Sequence, residues 1–153
     1  MARRPAHHYT GTVTSQPAHR PEVPVIILGS ALALAAAALH VLIFALESLL
    51  WGTPRAQAVF GRQSAQEVAA TRALAFNQGF YNLFLAVLAA LGAVLLLAGT
   101  TAVGAALALA GTGSMLAAAT VLLLSSPAHR SAAIRQGTLP LLAVLALVVG
   151  LAL

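Results

Sequence analysis

Apolar residues in this chain come in long runs and not at helical or strand intervals. Four runs stand out, at about 23–51, 76–98, 102–124 and 137–153. A helix needs about 20 residues at 1.5 Å each to cross the hydrocarbon of a bilayer. The runs therefore predict four spanning helices, the first long enough to tilt and the last only just long enough. Backbone amides in lipid must be satisfied within the structure, which leaves helices or a closed barrel. Alternating ten-residue strands are missing, so the expected fold is all-α, a polytopic membrane four-helix bundle. Ala, Gly and Ser are scattered through every run, as close helix contacts in lipid require, and Gly92, Gly104, Gly111 and Gly113 are expected to be packing residues.

Between the runs the chain changes character. Residues 1–22 are rich in Pro, His, Thr and Ser without apolar period and are expected to form a disordered tail ahead of a single domain over 23–153. The apolar run begins too late and lasts too long for a cleaved signal peptide. The connection 52–75 is long, and Ser64 followed by Glu67 has the spacing of a capping box, so a helix is expected from there into the second span. The connection 99–101 is a minimal hairpin, and 125–136 carries Arg130 and Arg135. The first and third connections share one side of the membrane and hold five Arg, against three in the tail. The positive-inside rule then puts both long connections in the cytoplasm and the termini outside, in an integral protein expected in a bacterial cytoplasmic membrane.

Composition supports this class. Only 7% of residues are charged and the mean hydropathy is +0.93, whereas a soluble domain carries about a quarter charged residues. The formal charge of +5 comes without Lys or Asp. Its Arg residues sit in loops and tail, which suits anionic headgroups better than nucleic acid, so the lipid bilayer is the expected partner and nucleic acid is not. Without Cys there is no disulfide or thiolate chemistry.

Polar residues inside the runs point to a site, because ionisable groups in a span are costly and usually functional. His40, Glu47 and Trp51 are spaced by seven and eleven, within about 20° of one line on a regular helix. Trp51 fits an interfacial anchor, with Glu47 about 6 Å and His40 about 16 Å deeper. The second run opens AFNQGFYN, placing Asn77, Gln78, Tyr81 and Asn82 at the depth of Glu47. Gly79 leaves room there for a neighbouring helix or a ligand. The candidate binding residues are His40, Glu47, Trp51, Asn77, Gln78, Tyr81 and Asn82. Each also has a structural explanation: Glu47 as a carboxyl bonded to Asn77 or Asn82, His40 as a satisfied core histidine, the amides as interhelical glue. His129, Arg130, Arg135 and Gln136 return to the same side.

The segment from His40 to Asn82 resembles the family of small membrane proteins collected as domain of unknown function 1304. The shared features are His40, Glu47, Trp51, the turn Thr53-Pro54-Arg55, Phe60-Gly61 and Asn77-Gln78-Gly79-Phe80-Tyr81-Asn82, with Gln136-Gly137 and Pro140 before the last span. The resemblance runs from about Val25 to the C-terminus. It implies a four-span fold and no particular activity. Two departures are Leu39, where the family often has an acid, and the tail before Pro24.

Three functions compete. The first is binding or transport of a small polar or amphipathic molecule in a pocket between the first two helices; four spans are few for a transporter, so this version expects a homo-oligomer. The second is an intramembrane isomerase or hydrolase using Glu47, Tyr81 and His40, with non-covalent haem on His40 as one form; the catalytic residues and any cofactor stay open. Zinc is not expected, since one His and one Glu in the spans fall short of three ligands, and His7, His8 and His19 lie in the tail. The third is an accessory or structural membrane subunit.

Overall fold

The computed structural model describes residues 22–153. The tail expected over 1–22 lies outside them except for Glu22, which begins the first helix. Helix α1 spans Glu22–Phe44 and runs on into a π-helical turn, Ala45–Leu49. A short helix α2 follows at Pro54–Phe60, then α3 at Ala65–Leu97, α4 at Thr101–Ser125 and α5 at Arg130–Ala152. Four of these helices are long and apolar enough to cross a membrane, and the described residues form an all-α bundle without strands.

Local sequence sets the breaks. The π turn closes with Leu50 N–H donating to the Ala45 carbonyl at 3.0 Å, a five-residue step where an α-helix takes four. Gly52 and Gly61, at φ 82° and 98°, make the bends on either side of α2, a conformation that disfavours side chains. Thr53 caps α2 through its hydroxyl, with Pro54 in the first turn. Ser64 and Glu67 form the capping box foreseen from their spacing, with Ser64 N–H donating to Glu67 Oε2 at 2.7 Å. Between α3 and α4, Gly99 N–H donates to Leu96 and Thr100 N–H to Leu95, the paired bonds of a Schellman ending.

Helix α3 has 33 residues, about 50 Å of helix against about 30 Å of hydrocarbon. Counted back from Leu97, a span of about 20 residues reaches Asn77, so the helix is longer than a crossing needs by its first turns. Helix α5 also begins earlier than the apolar run, at Arg130 and not near Gly137. Ala132, Ala133 and Ile134 carry the helix through the stretch that polarity alone marks as loop.

Each long helix packs against two others. Helix α1 lies against α3 and α5, and α4 closes the ring against the same two, with little contact between α1 and α4. The buried layers are mostly alanine: Ala36, Ala37, Ala86 and Ala89 with Met115; Ala33, Ala93 and Ala143; then Ala108 with Leu96 and Leu147. Large residues such as Leu42, Phe84, Val87 and Val121 face outward. This inversion follows from the solvent. Lipid accepts Leu as readily as the core does, so close backbone contact between small residues supplies the packing.

Glycine makes the closest crossing. A Cβ on Gly92 would meet the Ala108 Cα at 2.6 Å and the Gly104 carbonyl oxygen at 2.8 Å; on Gly104 or Gly111 it would meet the backbone nitrogen of Leu96 or Ala89 at 2.6 Å. Gly113 differs from the expectation, since nothing lies within 4 Å of a Cβ built there. It faces away from the α3 contact that Gly111 makes.

Gly92→Ala is therefore expected to destabilise the bundle by about 1–3 kcal/mol, read from its unfolding midpoint in a neutral detergent. Gly113→Ala should change it by no more than about 0.5 kcal/mol. Equal losses in the two variants would contradict this packing.

Candidate functional site

The junction of α1 and α3 is built on a close approach at Gly79. A Cβ at this position would run into the Ser48 hydroxyl and come within 3.1 Å of both the Glu47 Cβ and the Phe44 carbonyl oxygen. Without it the π turn lies directly on α3. Ser48 Oγ donates to the Phe76 carbonyl at 2.8 Å across the gap. The ring of Phe44 meets that of Phe80 edge-on at 5.1 Å.

This approach brings the Glu47 carboxyl to two amides. Gln78 Nε2 donates to Oε1 at 3.2 Å and Asn82 Nδ2 donates to Oε2 at 2.9 Å. Glu47 is 6% exposed. The two oxygens are thus held by different residues one helical turn apart, which fixes the plane of the carboxyl group. Two of its roughly four acceptor positions remain for another group.

Glu47 forms part of the wall of a cleft of about 500 Å³. Helix α3 contributes Thr71, Leu74, Ala75, Gln78, Tyr81, Asn82 and Leu85, a stripe at the three- and four-residue steps of one helical face. Ala118 and Leu122 come from α4, Ala132 and Gln136 from the start of α5, and His129 from the turn just before it. Trp51, Phe60 and Gln63 close it from the segment between α1 and α3. Trp51 Nε1 donates to Thr71 Oγ1 at 3.2 Å, which pins the indole against α3. The pocket expected between the first two spans is a wider cleft at one end of the whole ring.

Of the sequence candidates, Glu47, Trp51, Gln78, Tyr81 and Asn82 come together on this wall. Tyr81 is 62% exposed, at the edge. His40 and Asn77 are not part of the wall. His40 is 2% exposed, and its Nδ1 pairs with the Ala36 carbonyl at 2.9 Å. The expected common face of His40, Glu47 and Trp51 assumed regular turns. The π turn breaks that register from Ala45 onward, and Trp51 sits beyond the end of the helix. Asn77 is exposed and lies one step off the α3 stripe.

Other members escaped the sequence analysis. Thr71 continues the stripe two turns back from Gln78, and the same spacing finds it. Gln63 and Ser48 have no such signal; the first depends on the path of the loop and the second on the π turn. Among the described residues no three His, Asp or Glu side chains gather to hold a metal ion.

Residues 34–148 match the model of a family described as Protein of unknown function (DUF1304). No curated protein and no solved structure matched the chain.

Asn82→Ala leaves Oε2 of Glu47 without its donor and is expected to cost about 1–3 kcal/mol of stability in detergent. Gly79→Ala should push the π turn off α3 and speed hydrogen exchange at the Leu50 amide. An unchanged exchange rate there would show that the turn does not depend on the Gly79 contact.

Proposed function

Because this chain belongs to the Protein of unknown function (DUF1304) family, a description that names no activity, its function has to come from the cleft, and we propose that it binds a small polar or amphipathic molecule there. One observation carries this reading. A carboxyl group set in a membrane helix is held in a fixed plane by Gln78 and Asn82, on the wall of a cleft large enough for a small molecule. Interhelical glue needs the hydrogen bonds but not the space beside them. Binding sites combine a mainly apolar wall with a few fixed polar groups, and Leu74, Leu85 and Leu122 beside Glu47, Gln78 and Asn82 fit that description.

The proposed binding set is Glu47, Trp51, Gln78, Tyr81 and Asn82. His40, bonded back to its own helix, supports the core beneath it. This separation takes His40 out of the group of three that an intramembrane enzyme would use. In this proposal the cleft opens toward the cytoplasm, because the Arg-bearing segments 52–75 and 125–136 lie at its end of the bundle. If the molecule is also carried across, the four spans work as a homo-oligomer.

Native mass spectrometry of protein released gently from membranes tests this. A co-purifying mass on the wild type that is lost from Glu47→Gln is the expected result. Bare protein in both, with the variant only less stable, would leave Glu47 as a structural carboxyl.

A further inference from the structure

The acidic group on the cleft wall stands in a chain that is otherwise basic. The protein has eight Arg and three carboxylates. Five of those Arg, at 55, 62, 72, 130 and 135, belong to the segments at this end of the bundle. None of these five lines the cleft, and among the described residues Glu47 is its one acidic side chain. Arg72 shares a separate hollow with Glu47, Ser48 and Trp51, but the bonds to the carboxyl oxygens come from Gln78 and Asn82. Amides orient a carboxylate without neutralising it. Arg130 donates from Nε to the Leu123 carbonyl, and Arg135 donates to Ser131.

Aromatic rings complete the picture. Trp51 and Phe60 stand with centroids 5.7 Å apart and planes tilted by 48°, so the two rings meet at an angle and form a corner of the wall that also holds Glu47. Tyr81 adds a third ring at the edge. A ring face attracts a cation, and so does a carboxylate. Both repel an anion. The remaining wall is apolar, with Leu74, Leu85 and Leu122.

Resting on the reading that the cleft binds a small molecule, we propose that its ligand is an organic cation: an amine or quaternary ammonium group borne on an apolar body. The charged head sits between the Glu47 carboxylate and the Trp51–Phe60 corner, and the body lies along the leucines. Tyr81 and His129 are the other titratable groups on the wall.

Trp51 is the chain's single tryptophan, so its fluorescence reports on the cleft directly. The probes are phenylpropyltrimethylammonium, its neutral isostere with a tert-butyl head, and phenylpropyl sulfonate, each titrated into wild-type protein in a neutral detergent. The cation should quench or shift the emission at lower concentration than the isostere, and the sulfonate should not compete. Glu47→Gln should weaken the cation by about tenfold or more and leave the isostere unchanged. Phe60→Leu should weaken the cation by about two- to fivefold. If Glu47→Gln does not fold, the preference of the wild type for cation over isostere decides alone. Equal binding of cation and isostere, or tighter binding of the sulfonate, would overturn the organic-cation assignment and leave the cleft a binding site. No response to any probe, together with bare protein by mass spectrometry, would overturn both.

Discussion

A carboxyl group placed among apolar helices has to be met by donors, because in hydrocarbon no water can stand in for them. The arrangement at one end of this bundle follows from that requirement at Glu47. Gln78 and Asn82 reach it only because α1 and α3 nearly touch, and they nearly touch because Gly79 has no side chain. The π turn belongs to the same contact. It carries Glu47 and Ser48 on consecutive positions, one bonded to the amides of α3 and the other to its backbone.

The other end of the bundle obeys a simpler rule. Alanine layers and glycine crossings bring backbones together, and among the described residues Glu22, at the start of α1, is the charged side chain of that end. The molecule is therefore divided along its length, with packing by small residues in the middle and at the hairpin end, and, among the described residues, side-chain hydrogen bonds between helices confined to the end where α1 stops and α3 and α5 begin. Pro140 sits between the two regimes in α5. It has no N–H to return to the Gln136 carbonyl, and Gln136 is on the cleft wall.

Much of this could be read from the chain. Run length identifies the four helices, because bilayer thickness fixes how many apolar residues a span needs. Ser64 and Glu67 mark the start of α3, since capping depends only on local spacing. The Glu47–Asn82 pairing is also legible: two polar groups at equal depth on adjacent spans have few other partners. Three things were hidden. The π turn lies against α3 at Gly79 and has no local code, so the placement of His40 beside Glu47 and Trp51 fails with it. Gly113 looks like Gly111 in sequence but differs by two steps around the helix, which points it away from α3. The early start of α5 was masked because Arg130 and Arg135 read as loop by charge, while a helix can carry them in the headgroup layer.

The π turn also changes what length means at this position. In a regular helix a lost residue shortens the rod by about 1.5 Å and turns everything beyond it by about 100°. Here the turn already holds one residue more than an α-helix would. Losing one between Ala45 and Leu49 would let the hydrogen bonding become regular and leave the chain beyond the turn close to its present direction, because the extra residue is taken up inside the turn. The turn is thus the one stretch of the first span where the chain can change length by a residue and still deliver Trp51 and α2 to the same side of α3.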